Sequence, residues 1–311
     1  MIRVCPCLWR MIGWMILGII SWSCRERTLT VEVPSQPPRL VVNSLFHPGQ
    51  QQWRIYMGIS RAVIGPVTDT LRRPTVHYTL YENDTAFVEG ILPADSEYIQ
   101  IAYPQPKAGH TYRIVATAND YPSVEAESTV PYAVSVRAQI RSTDTSQPHH
   151  WAISWDDLPN ADYYWFYPSV RIYYSSSLPQ ITYSEFYYVK GNVPPPPSEF
   201  DGMDPNGSSQ NWVEQMVFSD ATFTDSSAYL EVMLDSTWVA GCRTPGVDSC
   251  FLEFHVITLS KAAYWYVQSI LADNNQTGDF FSAPVQIYSN VRNGMGVWGG
   301  FYRSKTVIRQ R

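Results

Sequence analysis

Positive charge is scarce in this sequence. Lys and Arg number 22 of 311 residues against 28 Asp and Glu, giving a formal net charge of -6. Proteins that neutralise nucleic-acid phosphates need a basic surface, so nucleic acid is not an expected partner. Catalytic signatures are missing as well. The chain has no Gly-x-Ser-x-Gly elbow and no His-Glu-x-x-His pair, and His47, His77, His110 and His255 are scattered singly. His149 and His150 fall in a polar stretch that reads as an inter-strand turn, with Asp156 and Asp157 nearby. Adjacent side chains on a turn do not converge by default, so this stretch is expected to be a solvated loop rather than a metal site. No catalytic residue, cofactor or metal is assigned. A hydrolase acting through two carboxylates, which needs only a suitably spaced pair, stays as a lesser alternative.

Long apolar runs are absent too. The longest, "MIGWMILGII" from Met11 to Ile20, has ten residues, about half of what a bilayer-spanning helix needs. Arg3 and Arg10 precede or open it, and the small residues of "SWSC" close it before Cys24. That is the three-part form of an export signal over residues 1–23. Small residues just before a Cys resemble the lipobox of bacterial lipoproteins, with Ser21 in place of the commoner Leu, as in the looser Bacteroidota pattern. Cys24 is therefore expected to carry lipid and to begin the mature chain. Residues 24–38, "CRERTLTVEVPSQPP", read as a proline-bearing tether. Of the 5 cysteines, Cys242 and Cys250 then remain, separated by the turn-rich "RTPGVDS". Export favours a disulfide between them. A zinc site would need two more soft ligands, and only His255 lies near.

What the chain has in abundance is aromatic side chains, 21 Tyr and 11 Trp, together with 23 Pro. This mixture favours many short strands over long helices. "WRIYMGIS" alternates Trp53, Ile55, Met57 and Ile59 with Arg54, Tyr56, Gly58 and Ser60, the period of a half-buried strand. "TVHYTLY", "YIQIAY" and "HTYRIVATAN" continue the series, so residues 39–132 are expected to form an immunoglobulin-like sandwich. Residues 133–311 open with "VSVRAQI" and then "WAISWDDLPNADYYWFY", where Trp151, Ile153 and Trp155 share a face. That stretch resembles the B-to-C region of fibronectin type III modules, implying a second, fibronectin-like β-sandwich. It should hold one short helix, capped by Ser260, with Ala263, Val267, Ile270 and Leu271 on one face. The fold class is thus all-β, two sandwiches in series.

Near the C-terminus, "GMGVWGG" from Gly294 to Gly300 has the Gly-x-Gly-x-x-Gly spacing of dinucleotide-binding loops. Such a loop needs a helix and a further acidic strand after it, and only "FYRSKTVIRQR" follows. Glycines here are better explained by an extended segment, Val285 to Arg303, passing close to its neighbours in the second sandwich. The surrounding "FFSAPVQIYSNVRNGMGVWGGFYRS" resembles the closing signature of Bacteroidota lipoproteins grouped as domain of unknown function 4249. "PPRLVVNSLF", "AGHTYRIVATANDYPSVEAESTVP", "NADYYWF" and "LSKAAYWYVQSI" match in order. The resemblance implies an outer-membrane, lipid-anchored protein with a TonB-dependent transporter as partner, and it carries over no catalytic residue.

For a contact surface, the consecutive rings Tyr163 to Tyr167 put aromatics on both faces of one strand, and a sandwich buries one face on its core. The other face is expected to be covered within the domain rather than left as an open platform. Candidate contacts are Tyr164, Phe166 and Trp212, with Pro195 and Pro196 in the long polar loop from Asn192 to Asn211. A surface adhesin or glycan-binding module is the alternative to a transporter accessory.

Overall fold

The computed structural model describes residues 37–60, 73–102, 104–142, 149–157, 163–174, 178–183, 186–194, 212–222, 227–234, 241–276 and 285–310. Cys24, Pro195 and Pro196 lie outside them. Alternating burial marks the first strands. β1 (Leu40–Phe46) and β2 (Trp53–Ile59) turn Leu40, Val42, Phe46, Trp53, Ile55 and Met57 inward. β2 pairs with β5 (Tyr98–Ile101), giving one sheet in the order β1-β2-β5. Facing it is β4-β3-β6-β7, formed by β3 (Val76–Glu82), β4 (Thr85–Leu92), β6 (Thr111–Ala118) and β7 (Tyr121–Thr129). This is a seven-strand immunoglobulin-like Greek key. Asn83 and Asp84 both adopt positive φ between β3 and β4, which matches the twist a two-residue hairpin demands.

The same order recurs. β8 (Val136–Ser142), β9 (His149–Asp156) and β15 (Ser227–Leu234) form one sheet, extended by β12 (Phe186–Gly191) and β13 (Trp212–Val213). Opposite lie β11 (Gln180–Tyr183), β10 (Tyr163–Tyr174), β16 (Val247–Leu259) and β17 (Trp298–Gln310), with β14 (Met216–Ser219) beside β10. Trp151, Ile153 and Trp155 enter the second core with Phe166 and Phe254. Cys242 and Cys250 are disulfide-bonded across a Cα–Cα distance of 5.4 Å. The helix, α1 (Lys261–Gln276), starts where expected, with Ser260 Oγ accepting from Ala263 N at 3.2 Å. Ala262 and Ala263 are its buried foot.

The C-terminal segment departs from the expectation. Val285 to Asn290 has no regular structure and the strand begins only at Trp298. Its pairing is also divided. Phe301 to Gln310 pairs with β16 in the second sandwich, whereas Trp298, Gly299 and Gly300 run parallel to Ser44, Leu45 and Phe46 of β1 in the first. Val291 and Trp298 accordingly belong to the first core, across the 132/133 boundary drawn from sequence. One hydrogen-bonded sheet, β11-β10-β16-β17-β1-β2-β5, therefore runs through both sandwiches.

The glycine motif is what lets this segment lie so close to β1. Met295 N donates to Leu40 O and Met295 O accepts from Val42 N, each at 2.9 Å. Between them Gly296 sits at φ +112°, and a Cβ there would meet Val42 O at 2.2 Å. Only glycine tolerates both the conformation and the space. A Cβ on Gly299 would press on Ala263 at 3.1 Å, and one on Gly300 on Thr129 O at 2.9 Å. Trp298 is then driven into the first core, where it packs against Phe46 and Trp53 and its Nε1 donates to Tyr112 O at 2.9 Å. Asn290 clamps both ends of Trp298, accepting from its N at 2.9 Å and donating to its O at 3.0 Å.

Trp298→Ala should therefore cost about 3–5 kcal/mol of stability, because it empties the centre of a closed aromatic cluster. Urea unfolding measures this. Trp265→Ala on α1, whose side chain is 45% exposed, serves as the control and should stay within about 0.5 kcal/mol of the parent.

Candidate functional site

Strand β10 carries the ring series, and its parity decides which rings are available. Tyr164 and Phe166 are fully buried in the second core, so they offer no contact surface, contrary to the expectation. Their neighbours Tyr163, Trp165 and Tyr167 point to the opposite face. There Ile257, Leu259, Val217, Phe301 and the Ala263 and Tyr264 side chains of α1 pack against them. Tyr163 stacks on Tyr264 at 4.4 Å. The second face of the strand is thus covered within the domain by its own helix. Trp212 lies in β13, paired with Tyr187.

Further along the same outer face lies a buried polar cluster. Strand alternation puts Glu253 and His255 side by side, and register brings Ser169 and Lys305 opposite them. Glu253 is 3.0 Å from Lys305 Nζ and 3.1 Å from Arg171 Nε. Burial pushes its carboxyl upward, but the Lys305 and Arg171 contacts outweigh this and hold it below the usual range. His255 is lowered to about 4, mainly by burial and despite the attraction of Glu253. It is therefore neutral at pH 7.

Ser169, His255 and Glu253 look like the parts of a nucleophilic relay, but their geometry is different. Ser169 Oγ and Glu253 Oε2 both approach His255 Nε2, at 2.9 and 3.2 Å, while Nδ1 is buried with no hydrogen-bond partner among the described residues. A relay requires the base to contact nucleophile and carboxylate through opposite nitrogens. Ser169 is also 1% exposed, which leaves a substrate no access to its hydroxyl. The arrangement is an ion-pair network with a stacked histidine, Tyr167 lying 4.6 Å from the His255 ring.

A second network covers the outer face of the other sheet. His149 and His150 open strand β9 rather than forming a turn. His150 Nε2 lies 2.9 Å from Glu231 Oε2, out of hydrogen-bond alignment, and Lys190 Nζ lies 3.6 Å from the same carboxylate. The Tyr229 hydroxyl and the nearby cations hold Glu231 below its ordinary range, Tyr229 contributing most. Asp156 does not join them: it pairs with Arg137 at 2.8 Å, and Asp157 accepts from the Tyr164 hydroxyl at 2.6 Å. Among the described residues no group of three His, Cys, Asp or Glu could hold a metal ion.

An open concavity lies elsewhere. A cleft of about 500 Å³ forms where the end of β7, the start of β10, the first turn of α1 and the C-terminal segment meet. Glu127, Thr129, Tyr163, Lys261, Tyr288 and Asn290 are among its walls. Asn290 is committed to Trp298, but among the described residues neither Glu127 nor Lys261 has an ion-pair partner. A carboxylate, an ammonium and two phenol rings suit hydrogen bonding and stacking to a polar ligand. Sequence reasoning missed this site because its walls come from four separated segments. The one local signal was the Ser260 cap, which places Lys261 at a helix start.

Two sandwiches of one topology, stitched by a shared final strand, define the class of protein. The model of a family described as Domain of unknown function (DUF4249) matches residues 26–306, and the chain belongs to that family. No curated protein matches the sequence.

The polar cluster makes a pH prediction. A buried His whose folded value lies near 4 and whose unfolded value is 6.5 takes up its proton preferentially in the unfolded chain. Its stabilising effect is complete above 6.5 and is lost as pH falls from 6.5 toward 4. The melting temperature should decline over that window, and His255→Gln should flatten the decline; an unchanged slope would remove His255 from the account.

Proposed function

We propose that the chain is a lipid-anchored, non-enzymatic accessory protein of outer-membrane uptake, working beside a TonB-dependent transporter. The observation that carries the reading is the short apolar run Met11–Ile20 ending in "SWSC" at Cys24. It has the form of a leader and is too short for a lasting span. The resemblance of the C-terminal signature to that of outer-membrane lipoproteins is in keeping with it. The condition of the charged clusters is also in keeping with a binding role. Glu253, His255 and Glu231 are engaged with basic and hydroxyl neighbours on sheet faces. The cleft presents Glu127 and Lys261 instead.

An anchored protein meets a membrane-embedded partner at high effective concentration, so a weak contact suffices. The segment from Asn192 to Asn211, long and proline-rich, is our candidate for that contact. The cleft favours a second reading, a glycan-binding module independent of a transporter, with the Tyr288 ring beside Glu127 and Lys261 as the surface for a sugar.

Cys24→Ala should move the protein from the membrane fraction to the soluble periplasmic fraction; unchanged fractionation would contradict the anchor. Purification at native expression levels should bring down a TonB-dependent transporter, and deleting residues 194–209 should weaken that complex while leaving the melting temperature in place. Absence of any transporter from the purified material would overturn the uptake role.

A further inference from the structure

Unpaired strand edges expose rows of N–H and C=O groups, and proteins normally shorten, charge or cover them. Several described edges of this molecule follow that rule. β5 and β11 have 4 residues each and β13 has 2. β8 carries Arg137 and Arg141, which pair with Asp156 and Glu231. β7 is covered by the C-terminal segment: Glu125 exchanges backbone hydrogen bonds with Arg292, and the Asn290 and Asn293 side chains donate to Glu127 O and Ser123 O. β4 is less protected, with one acidic residue, Glu89, and one pairing irregularity before Val88. It runs for 8 residues, "TAFVEGIL", without Lys, Arg or Pro, and among the described residues its ladder bonds go to β3 alone.

The free edge also has a readable face. An irregularity in pairing between Leu80 and Tyr81 leaves Val88 to Leu92 as a regular run. On its inner side the Tyr78 ring lies across Gly90, where a Cβ would meet the Tyr78 hydroxyl at 2.5 Å, so that side is filled. The outer side is open. There Glu89 and Ile91 border a groove of about 380 Å³ with His77, Thr79, Val115 and Thr117. Ile91 is 58% exposed, and Glu89 is exposed with no ion-pair partner among the described residues.

We propose that β4 is a docking edge that accepts an extended segment of a partner protein as an added strand. The segment places a basic side chain opposite Glu89 and, two residues along, an apolar one opposite Ile91. Backbone hydrogen bonds along the free edge hold the segment, and side chains alternating at the strand period select it. Glu89 sets the sign of the charge and the exposed Ile91 side chain sets the apolar requirement. A basic partner also suits a chain of net charge -6. This inference goes beyond the uptake role and makes no use of the anchor.

The test uses the mature chain and a synthetic peptide, acetyl-Ser-Thr-Lys-Thr-Val-Thr-Ser-amide, titrated to millimolar concentration while backbone amide shifts are followed. Shifts should concentrate on Val88 to Leu92. Glu89→Lys should weaken binding at least tenfold, and a peptide with Glu in place of its Lys should recover binding to that variant. Ile91→Lys should abolish both without lowering the melting temperature, since the side chain is exposed. No shifts on β4, shifts mapping elsewhere, or binding indifferent to Glu89→Lys would overturn the proposal. Concentration-dependent dimerisation lost in Ile91→Lys would overturn it too, giving the edge to a second copy of the chain.

Discussion

Everything in this structure depends on the parallel pairing of β1 with the segment that ends in Trp298. Three backbone bonds, Met295 N to Leu40 O, Val42 N to Met295 O and Ser44 N to Val297 O, lie between 2.8 and 2.9 Å. They bring a strand of the second sandwich into the sheet of the first. Trp298 then fills a space between Phe46, Trp53 and Tyr112 that residues 39–132 do not fill themselves. Gly296 is required by this contact, because a side chain there would strike Val42 O, and Gly300 by the approach to Thr129 O at the end of β7. Strand β17 also supports the helix, since Gly299 leaves room for Ala263 and Gly300 O accepts from Ser260 N.

The same seam arranges the surfaces available for function. By covering β7 it leaves β4 as the open edge of that sheet. By carrying Tyr288 and Asn290 past the start of α1 it completes the cleft. The buried carboxylates of the second sandwich, Glu231 and Glu253, are held in networks on its outer faces, where each is matched by cations. Buried charge of this kind is costly unless fully paired, and the pairing fixes neighbouring strands in register.

Much of the fold was legible because strands and helix announce themselves locally. The alternation of Trp53, Ile55 and Met57 and of Trp151, Ile153 and Trp155 identified inward faces, and Ser260 marked the helix start. Glycine spacing followed by a strand excluded the nucleotide loop and pointed to close packing. What local pattern cannot contain is the partner of a strand. Nothing in "GMGVWGG" states that its backbone pairs with Leu40 to Phe46 rather than within its own sandwich. The run Tyr163 to Tyr167 shows the same limit: period two reveals two aromatic faces, but only the position of α1 decides that Tyr164 and Phe166 face the core. For the polar cluster, Glu253 and His255 at alternate positions were a visible hint, whereas Ser169, Arg171 and Lys305 arrive by register alone.

The central claim is that the first sandwich is incomplete without the C-terminal seam. Its most direct test is complementation: residues 38–132 expressed alone, with and without a synthetic peptide of residues 287–303, followed by amide and tryptophan NMR. The account predicts poorly dispersed signals for the fragment alone and a dispersed β spectrum once the peptide is added, with the Trp298 indole proton shifted on binding. A fragment that is fully dispersed by itself and indifferent to the peptide would contradict it.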